Sequence, residues 1–398
     1  MFRKCSSPKW FPQLVLFILV SPLALLWGEM FTRILLPQNV DSKMNIFETD
    51  PIVGFIFKPN ATTNEKGKEY NGLYKINSIG LRDREYGPKT AGIFRVLLLG
   101  DSFAVSHGLQ IEESLSRQLE RALQEVAVSQ KTPVTFEVIN AAAGGYSPFN
   151  YLQAYRRWAP IFSPNAAVVA LSPDDYECDN DHVRYLIEDG EILARYKDGE
   201  EPKKGGGLSV RRLRKWLSWN SEFYVLLRNF FYYSDLVGRI TLSRNPGGLE
   251  NDTQMQLYLT SYRDNVTKEW AKSFSYLQQL RDATAADGVA MALIPVPLKL
   301  EIDSAQYRQT LLAKNLTDEQ LDLDQQLREI SAFCKKNNIV GLDPRPGLRE
   351  RHAQVACYFT LDGHWNAEGV RAAASSLAKQ WLERGLPPWA NLTGQVVN

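Results

Sequence analysis

The chain has 398 residues, enough for one large domain with additions or for two domains, and its 44% hydrophobic content predicts a sizeable core. The 46 basic and 45 acidic side chains give a net charge of +1, which excludes the basic surface typical of nucleic-acid-binding proteins. The four cysteines form no CxxC pair, so a zinc site is not indicated.

The first predicted element is an apolar segment from Trp10 to Trp27, uncharged over 18 residues and just long enough to cross a bilayer. Basic residues precede it, and we therefore predict a cytoplasmic N-terminus (1–9), a transmembrane anchor (10–27) and an extracytoplasmic or periplasmic remainder. A cleaved signal peptide is the alternative. We favour the anchor, because residues 28–31 offer no small-x-small cleavage pattern.

Residues 28–75 follow the anchor and contain prolines at 37, 51 and 59, which interrupt any long periodic pattern. We predict an extended juxtamembrane linker there. The remaining residues, 76–398, are assigned to one domain that contains an insertion at about 178–255.

The domain begins with strands that alternate with helices. Apolar strand patterns cover 95–100, 134–145, which ends in a glycine turn, and 165–175, which ends in acidic residues; helical patterns cover 111–126 and 151–158. After the insertion, the alternation resumes with a helix up to Ala286 and a strand over 289–297. A helix over 317–337 follows and opens on a capping box of Thr317 and Gln320. A short strand and a last helix complete the domain. Such alternation predicts parallel βαβ units, whose ligand sites lie at the carboxyl ends of the strands.

The insertion lacks this alternation. Residues 184–196 predict a hairpin that turns at Asp189-Gly190, and a polar loop follows. Residues 213–233 are aromatic and basic together. We favour an ordinary half-buried helix there over one that binds a membrane surface or a partner.

One serine and one histidine–aspartate pair stand out as candidates for nucleophilic catalysis. Ser102 follows directly on the first strand, and Asp362 and His364 precede the last helix. A serine nucleophile needs a base within hydrogen-bond reach and a carboxylate to orient that base. The alternative for Ser102 is a role as a helix cap. The other three histidines are interpreted as solvated loop residues: His107, His182 and His352.

The sequences around these residues, GDSF at 100–103 and DGHWNAEG at 362–369, resemble the first and last sequence blocks of the SGNH, or GDSL-like, hydrolases. INSIGLRDREY at 76–86 resembles the run-in of membrane-anchored bacterial members. The resemblance covers about 76–381 without the insertion. It implies a three-layer α/β/α sandwich with a flavodoxin-like parallel sheet, with Ser102 as nucleophile, His364 as general base and Asp362 orienting His364.

The resemblance also implies an oxyanion hole built from the backbone N–H of Ser102, a glycine and an asparagine. Gly145 is the favoured glycine donor and Gly144 the alternative, although both also suit a tight turn. Where the family has Gly-Asn-Asp, this chain has Pro173-Asp174-Asp175, so a carboxylate replaces the donor amide. An ionised Asp174 has no proton to donate to an oxyanion; it is either protonated or another group takes over.

No metal site or cofactor is predicted. The acidic run at 174–182 lacks the central glycine and the closing glutamate of an EF-hand, so we interpret it as a solvated loop rather than a calcium site. The alternating acidic residues in question are Asp175, Glu177, Asp179 and Asp181. In an oxidising compartment Cys334 and Cys357 are able to pair, but we favour unpaired burial.

These observations predict a serine esterase that acts through an acyl-enzyme. For anchored members, the resemblance implies O-acyl or O-acetyl esters of envelope carbohydrate as substrates. The first alternative is an O-acyltransferase, which passes the acyl group to a sugar hydroxyl on a surface glycan. The second is a catalytically degenerate module that binds carbohydrate or a partner, since Asp174 departs from the family pattern. No nucleic-acid partner is expected.

Overall fold

The computed structural model describes residues 11–38, 40, 44–67, 69–176, 183–197, 207–233 and 253–384. The strands are β1 (Phe47–Asp50), β2 (Gly54–Phe57), β3 (Thr62–Lys66), β4 (Asn71–Lys75), β5 (Ile93–Gly100), β6 (Thr135–Asn140), β7 (Ala166–Leu171), β8 (Val183–Glu188), β9 (Glu191–Lys197), β10 (Ala290–Pro295) and β11 (Val340–Gly341).

The helices are α1 (Phe11–Leu35), α2 (Ser102–Val105), α3 (Leu115–Ser129), α4 (Pro148–Phe162), α5 (Gly207–Asn220), α6 (Glu222–Tyr233), α7 (Thr253–Gln256), α8 (Arg263–Ala286), α9 (Lys299–Ile302), α10 (Ser304–Lys314), α11 (Gln325–Asn337), α12 (Arg345–His352) and α13 (Ala367–Glu383). Short 3₁₀ turns cover Ile111–Glu113, Pro173–Tyr176, Thr260–Tyr262 and Asp318–Gln320.

The centre of the fold is a five-stranded parallel sheet in the order β11-β10-β7-β5-β6. The predicted α/β fold with a parallel sheet is confirmed, and the order is that of flavodoxin-like sheets. All six residues of β7 are buried, as the continuous apolar run of a strand covered on both faces requires. The connections from β5 to β6 and from β6 to β7 run in opposite directions, so right-handed crossovers place α3 and α4 on opposite faces.

Residues 47–75 differ from the predicted linker, because they form two antiparallel hairpins, β1–β2 and β3–β4. Phe55 and Phe57 are buried in the main hydrophobic core, and Tyr146 donates a hydrogen bond of 2.7 Å to the Phe55 carbonyl. Prolines at 51 and 59 end strands here rather than marking an extended chain. The linker prediction was therefore wrong for this stretch.

The predicted hairpin in the insertion is present as β8–β9, with Asp189 and Gly190 at positive φ in its turn. Tyr185 of β8 packs its ring 4.8 Å from that of Phe55, so the hairpin extends the core of the sheet-containing unit. The predicted aromatic and basic helix is instead two helices, α5 and α6, which meet at Ser221.

The described residues divide into two compact units. The larger comprises the described parts of 43–65, 69–202 and 247–398, and the smaller those of 1–42, 66–68 and 203–246. In the smaller unit, the Glu29 carboxylate accepts hydrogen bonds at the start of α6, from the Ser221 hydroxyl at 2.7 Å and the Glu222 N–H at 3.0 Å. Burial opposes ionisation, but these bonds and one from Arg33 lower the pKa of Glu29 to about 2.

The segment predicted as a membrane anchor lies largely in α1, which continues past Trp27 to Leu35 and so includes the charged residues Glu29 and Arg33. Of the helices that the structure describes, none is long and apolar enough to cross a membrane. The predicted transmembrane helix is therefore unsupported. The predicted cytoplasmic residues 1–9 lie outside the described part of the chain.

The helix predicted over 317–337 begins later than expected. Thr317 and Gln320 do form a capping box, but it opens the short turn Asp318–Gln320, and α11 starts only at Gln325. A local cap thus identifies where a helical turn begins without fixing how far the helix continues.

Candidate active site

Ser102 lies where β5 ends and α2 begins, at the carboxyl edge of the sheet. The turn is sharp: a Cβ on Gly100 would lie 2.5 Å from the Ala104 Cβ, so only glycine fits between strand and helix. The Asp101 carboxylate caps α2 by accepting the Phe103 N–H at 3.0 Å. The alternative role of Ser102 as the cap is therefore taken by its neighbour, which leaves the serine hydroxyl available.

The Ser102 hydroxyl points to His364. Its Oγ lies 2.8 Å from His364 Nε2, and His364 Nδ1 lies 2.5 Å from Asp362 Oδ1. The structure thus brings together the three residues predicted from two distant parts of the chain. The pattern is that of a nucleophile, a base and an orienting carboxylate.

The loop that carries Asp362 and His364 leads into α13, whose first turn is capped by the Asn366 side chain at 3.0 Å from the Gly369 N–H. The Phe103 ring packs 4.5 Å from the imidazole of His364. The Glu69 carboxylate accepts three successive backbone N–H groups, from Thr360 at 2.9 Å, Leu361 at 2.6 Å and Asp362 at 3.3 Å.

His107 belongs to the same cluster, contrary to the prediction of a solvated loop residue. Its Nδ1 lies 3.0 Å from Glu65 Oε1, and its Nε2 lies 3.5 Å from Asp362 Oδ2 and 2.8 Å from the Tyr70 hydroxyl. Its ring centre is 4.8 Å from that of His364. The His107 side chain is only 21% exposed, because the β3–β4 hairpin covers it.

Carboxylates and histidines alternate along this cluster, in the order Glu65, His107, Asp362 and His364. Burial by itself would raise the pKa of Asp362, but hydrogen bonds from His107 and His364 hold that pKa far below the usual carboxyl range. Burial by itself would lower the pKa of His107, yet Asp362 and Glu65 raise it to about 9. Asp362 is therefore an anion and His107 a cation at neutral pH.

The glycine turn after β6 also lies beside Ser102. A Cβ on Gly144 would come 3.8 Å from the Ser102 Cβ, and Gly145 adopts a positive φ of 83°. Asp174 lies after β7 in the turn Pro173–Tyr176, where it is exposed and accepts a hydrogen bond of 3.0 Å from the Gln254 amide. The Gln254 amide thus lies beside Asp174, the position at which the SGNH pattern has an asparagine amide. The sequence did not indicate Gln254.

Asp175 is buried rather than part of a solvated loop. Its carboxyl group accepts the Tyr151 hydroxyl at 2.8 Å and the Ser172 N–H at 2.8 Å. Burial, reinforced by the nearby Asp101, raises the pKa of Asp175 well above the usual range. The other residues of the rejected calcium site, Glu177, Asp179 and Asp181, lie outside the described residues, as does His182.

In the described part of the chain, His107, Asp362 and His364 are close enough to share a metal ion, with one ligand atom from each within 4.8 Å of the others. Both ring nitrogens of His364 already contact Ser102 and Asp362, so we assign no metal. His352 lies in α12, and its Nε2 is 3.4 Å from Asp303, which corrects its interpretation as a loop residue. Cys334 and Cys357 are free and buried.

Comparison with known protein families indicates which family part of the chain resembles. A family model described as an SGNH hydrolase-like domain of the acetyltransferase AlgX matches residues 257–397. This part of the chain is similar to an SGNH hydrolase-like domain. The match includes Asp362 and His364 but not Ser102 or Gly145. The predicted resemblance to SGNH hydrolases is confirmed, without its membrane-anchored part. No curated protein sequence matches the chain significantly.

Several solved structures are similar at low identity. An acetyl-xylooligosaccharide esterase from Geobacillus is 11% identical, with 74% of this chain and 95% of that chain covered and a TM-score of 0.37. The esterase EstA from Pseudoalteromonas is 12% identical, with 73% and 98% covered and a TM-score of 0.36. A lipase/acylhydrolase from Enterococcus faecalis is 10% identical, with 73% and 96% covered and a TM-score of 0.37. All three scores are too low to establish a common fold by themselves.

Proposed function

We propose that this protein transfers acyl groups from an ester through a covalent Ser102 acyl-enzyme, with His364 as general base and Asp362 orienting His364. The observation that carries the proposal is the continuous contact from Ser102 Oγ to His364 Nε2 and from His364 Nδ1 to Asp362. A neutral serine hydroxyl is a weak nucleophile, and a base at this distance activates it.

In the first step, His364 Nε2 takes the Ser102 proton while Oγ attacks the ester carbonyl. The resulting oxyanion accepts hydrogen bonds from backbone N–H groups, for which we propose Ser102 and Gly145. His364 then returns the proton to the leaving alcohol, and the acyl group remains on Ser102. In the second step, His364 removes a proton from water or another hydroxyl, whose oxygen attacks the acyl carbonyl. The bond to Ser102 Oγ then breaks, His364 returns the proton to Oγ, and the acid or the new ester leaves.

Asp174 does not fit this oxyanion hole as a donor, because an ionised carboxylate only accepts hydrogen bonds. Its partner Gln254 carries an amide with two N–H groups, one of which is used on Asp174. The second N–H makes Gln254 a candidate for the donor that Asp174 lacks. Asp174→Asn separates the two cases: turnover rises if the oxyanion hole lacks this donor and stays unchanged if Gln254 already supplies it.

The acceptor distinguishes two activities. Water as acceptor makes the protein an esterase, which is the simpler outcome for a partly exposed serine. A carbohydrate hydroxyl as acceptor makes it an O-acetyltransferase, and the match of residues 257–397 to the SGNH hydrolase-like domain of an acetyltransferase favours this second candidate. For either activity we propose an O-acetyl ester, of envelope carbohydrate, as the substrate class. The extracytoplasmic location stays a prediction from the sequence.

The test is labelling of the full chain with a fluorophosphonate probe, for the wild type, Ser102→Ala and His364→Ala. We expect labelling that requires both residues. Release of acetate from 4-nitrophenyl acetate is then measured with and without an oligosaccharide acceptor, and acetylated sugar in the products identifies a transferase. A folded protein that is neither labelled nor active would leave the binding module as the better interpretation.

A further inference from the structure

The carboxylate of Asp362 has two oxygens, and each faces a different histidine. Oδ1 bonds His364 Nδ1 at 2.5 Å and also accepts the His364 backbone N–H at 3.2 Å. Oδ2 faces His107 Nε2 at 3.5 Å. Rotation of an aspartate carboxylate about its terminal torsion is only weakly restricted by the chain itself, so its orientation depends on such partners.

His107 is itself held from the side away from Asp362. Glu65 contacts the His107 Nδ1 through one oxygen and accepts the Gly108 N–H through the other, at 3.0 and 2.9 Å. The Tyr70 ring packs 4.9 Å from the imidazole, and a Cβ on Gly108 would lie 2.6 Å from that ring. The imidazole is thus fixed by a carboxylate, an aromatic ring and its own backbone.

The segment that carries His107 is anchored as well. Arg82 is fully buried, with its guanidinium 4.0 Å above the Tyr74 ring. It donates hydrogen bonds to the carbonyl oxygens of Val105, at 2.5 Å, and Ser106, at 3.2 Å. These carbonyl groups directly precede His107, so the histidine is presented to Asp362 from a rigid support.

We propose that His107 is a positioning residue that fixes the Asp362 carboxylate against His364. The inference rests on the proposed function and deepens it: it extends the Ser102–His364–Asp362 contacts by two residues, to His107 and Glu65. His107 does not touch the reacting atoms. It acts through Asp362, by holding Oδ2 so that Oδ1 stays aligned with the His364 ring during proton transfer.

Charge gives this arrangement a pH dependence. The groups that face the His107 ring are Glu65 from β3, Tyr70 from the β3–β4 connection, and Asp362 and His364 from the loop before α13. The pKa of His107 is raised to about 9, so the ring is positively charged below that pH and loses its charge as the pH rises through it. Alignment of Asp362 should weaken at the same point.

The kinetic test compares the wild type with His107→Gln, with 4-nitrophenyl acetate as substrate, from pH 6 to about pH 10. Because a misplacement of about 1 Å costs about 10²-fold in rate, we expect kcat to fall by roughly 10- to 100-fold with KM changed less than about twofold. We also expect a loss of wild-type activity near pH 9 that is absent from the variant. A histidine that only fills space would lower the melting temperature but leave the pH profile unchanged.

The matched control is His352→Gln, which removes another histidine–carboxylate pair outside the site and should change neither kcat nor the pH profile. An unchanged kcat in His107→Gln, or the same loss near pH 9 in both proteins, would overturn the proposal. His107→Asn is the substitute if the glutamine variant fails to fold.

A measurement without turnover separates this proposal from the proposed function. Histidine-selective ¹⁵N NMR of the full chain in the Ser102→Ala background should show His107 titrating near pH 9, and at lower pH after Asp362→Asn. A neutral His107 at pH 7, or no response to Asp362→Asn, would contradict the coupling. If the wild type shows no Ser102-dependent turnover, the proposed function fails, and NMR alone decides whether His107 and Asp362 interact.

Discussion

Replacement of Glu69 by alanine tests whether the β3–β4 hairpin holds the loop of Asp362 in place. The carboxylate accepts three backbone N–H groups of that loop. All three N–H donors belong to exposed residues, so water can accept their hydrogen bonds after the substitution. The contribution of each bond to stability is therefore taken at the low end of the usual range, about 0.5 kcal/mol. The sum predicts a loss of about 1.5 kcal/mol in the free energy of unfolding, or about 2 °C in melting temperature for a chain of this size.

The activity should suffer more than the stability. Asp362 lies at the end of the released segment, and displacement of its carboxylate by about 1 Å is expected to cost about 10²-fold in the rate of serine acylation. The assay is the rate of fluorophosphonate labelling, measured beside thermal unfolding. Glu69→Gln, which keeps one acceptor oxygen, should give an intermediate rate.

Glu85→Ala is the matched control. Glu85 accepts the Ser78 N–H at 2.7 Å in a loop that carries none of the proposed catalytic residues. We expect a comparable loss of stability without a loss of labelling. If Glu69→Ala lowers the melting temperature but labels within twofold of the wild type, the hairpin does not position Asp362 and the reasoning is refuted.

Three further changes test separate parts of the structure. Asp174→Asn adds a donor near the proposed oxyanion hole, and ester turnover should rise, by up to roughly 10²-fold; an unchanged rate would indicate that Gln254 already supplies the donor, and a lower rate would assign Asp174 another role. Gly100→Ala forces a Cβ to within 2.5 Å of Ala104 and should destabilise the fold by about 1–3 kcal/mol or more in thermal unfolding; an unchanged melting temperature would contradict the close approach. The pKa of Asp175 is raised by burial, so its contribution to stability is full at acid pH and is lost as pH rises. Asp175→Asn should make the unfolding free energy less dependent on pH above about 4, where the carboxyl group of the unfolded chain ionises, and an identical pH dependence would refute this.

The sequence determined the framework of the fold through local patterns. Buried apolar runs alternating with amphipathic helices are sufficient to predict parallel βαβ units, and chain connectivity then places the strand ends on one edge. The GDSF and DGHW segments singled out Ser102, Asp362 and His364 as candidates, because they resemble the first and last sequence blocks of SGNH hydrolases and supply the residue types that nucleophilic catalysis requires.

Tertiary structure alone decided what surrounds those three residues. His107, Glu65 and Glu69 carry no local signal, since a histidine or glutamate in a polar segment is usually solvated. Their roles depend on where residues 62–75 fold, and a two-hairpin segment with three prolines nearby is locally indistinguishable from a linker. Charge and burial at Asp175 and Asp362 likewise come from groups distant in the chain, and short-range sequence patterns do not encode such contacts.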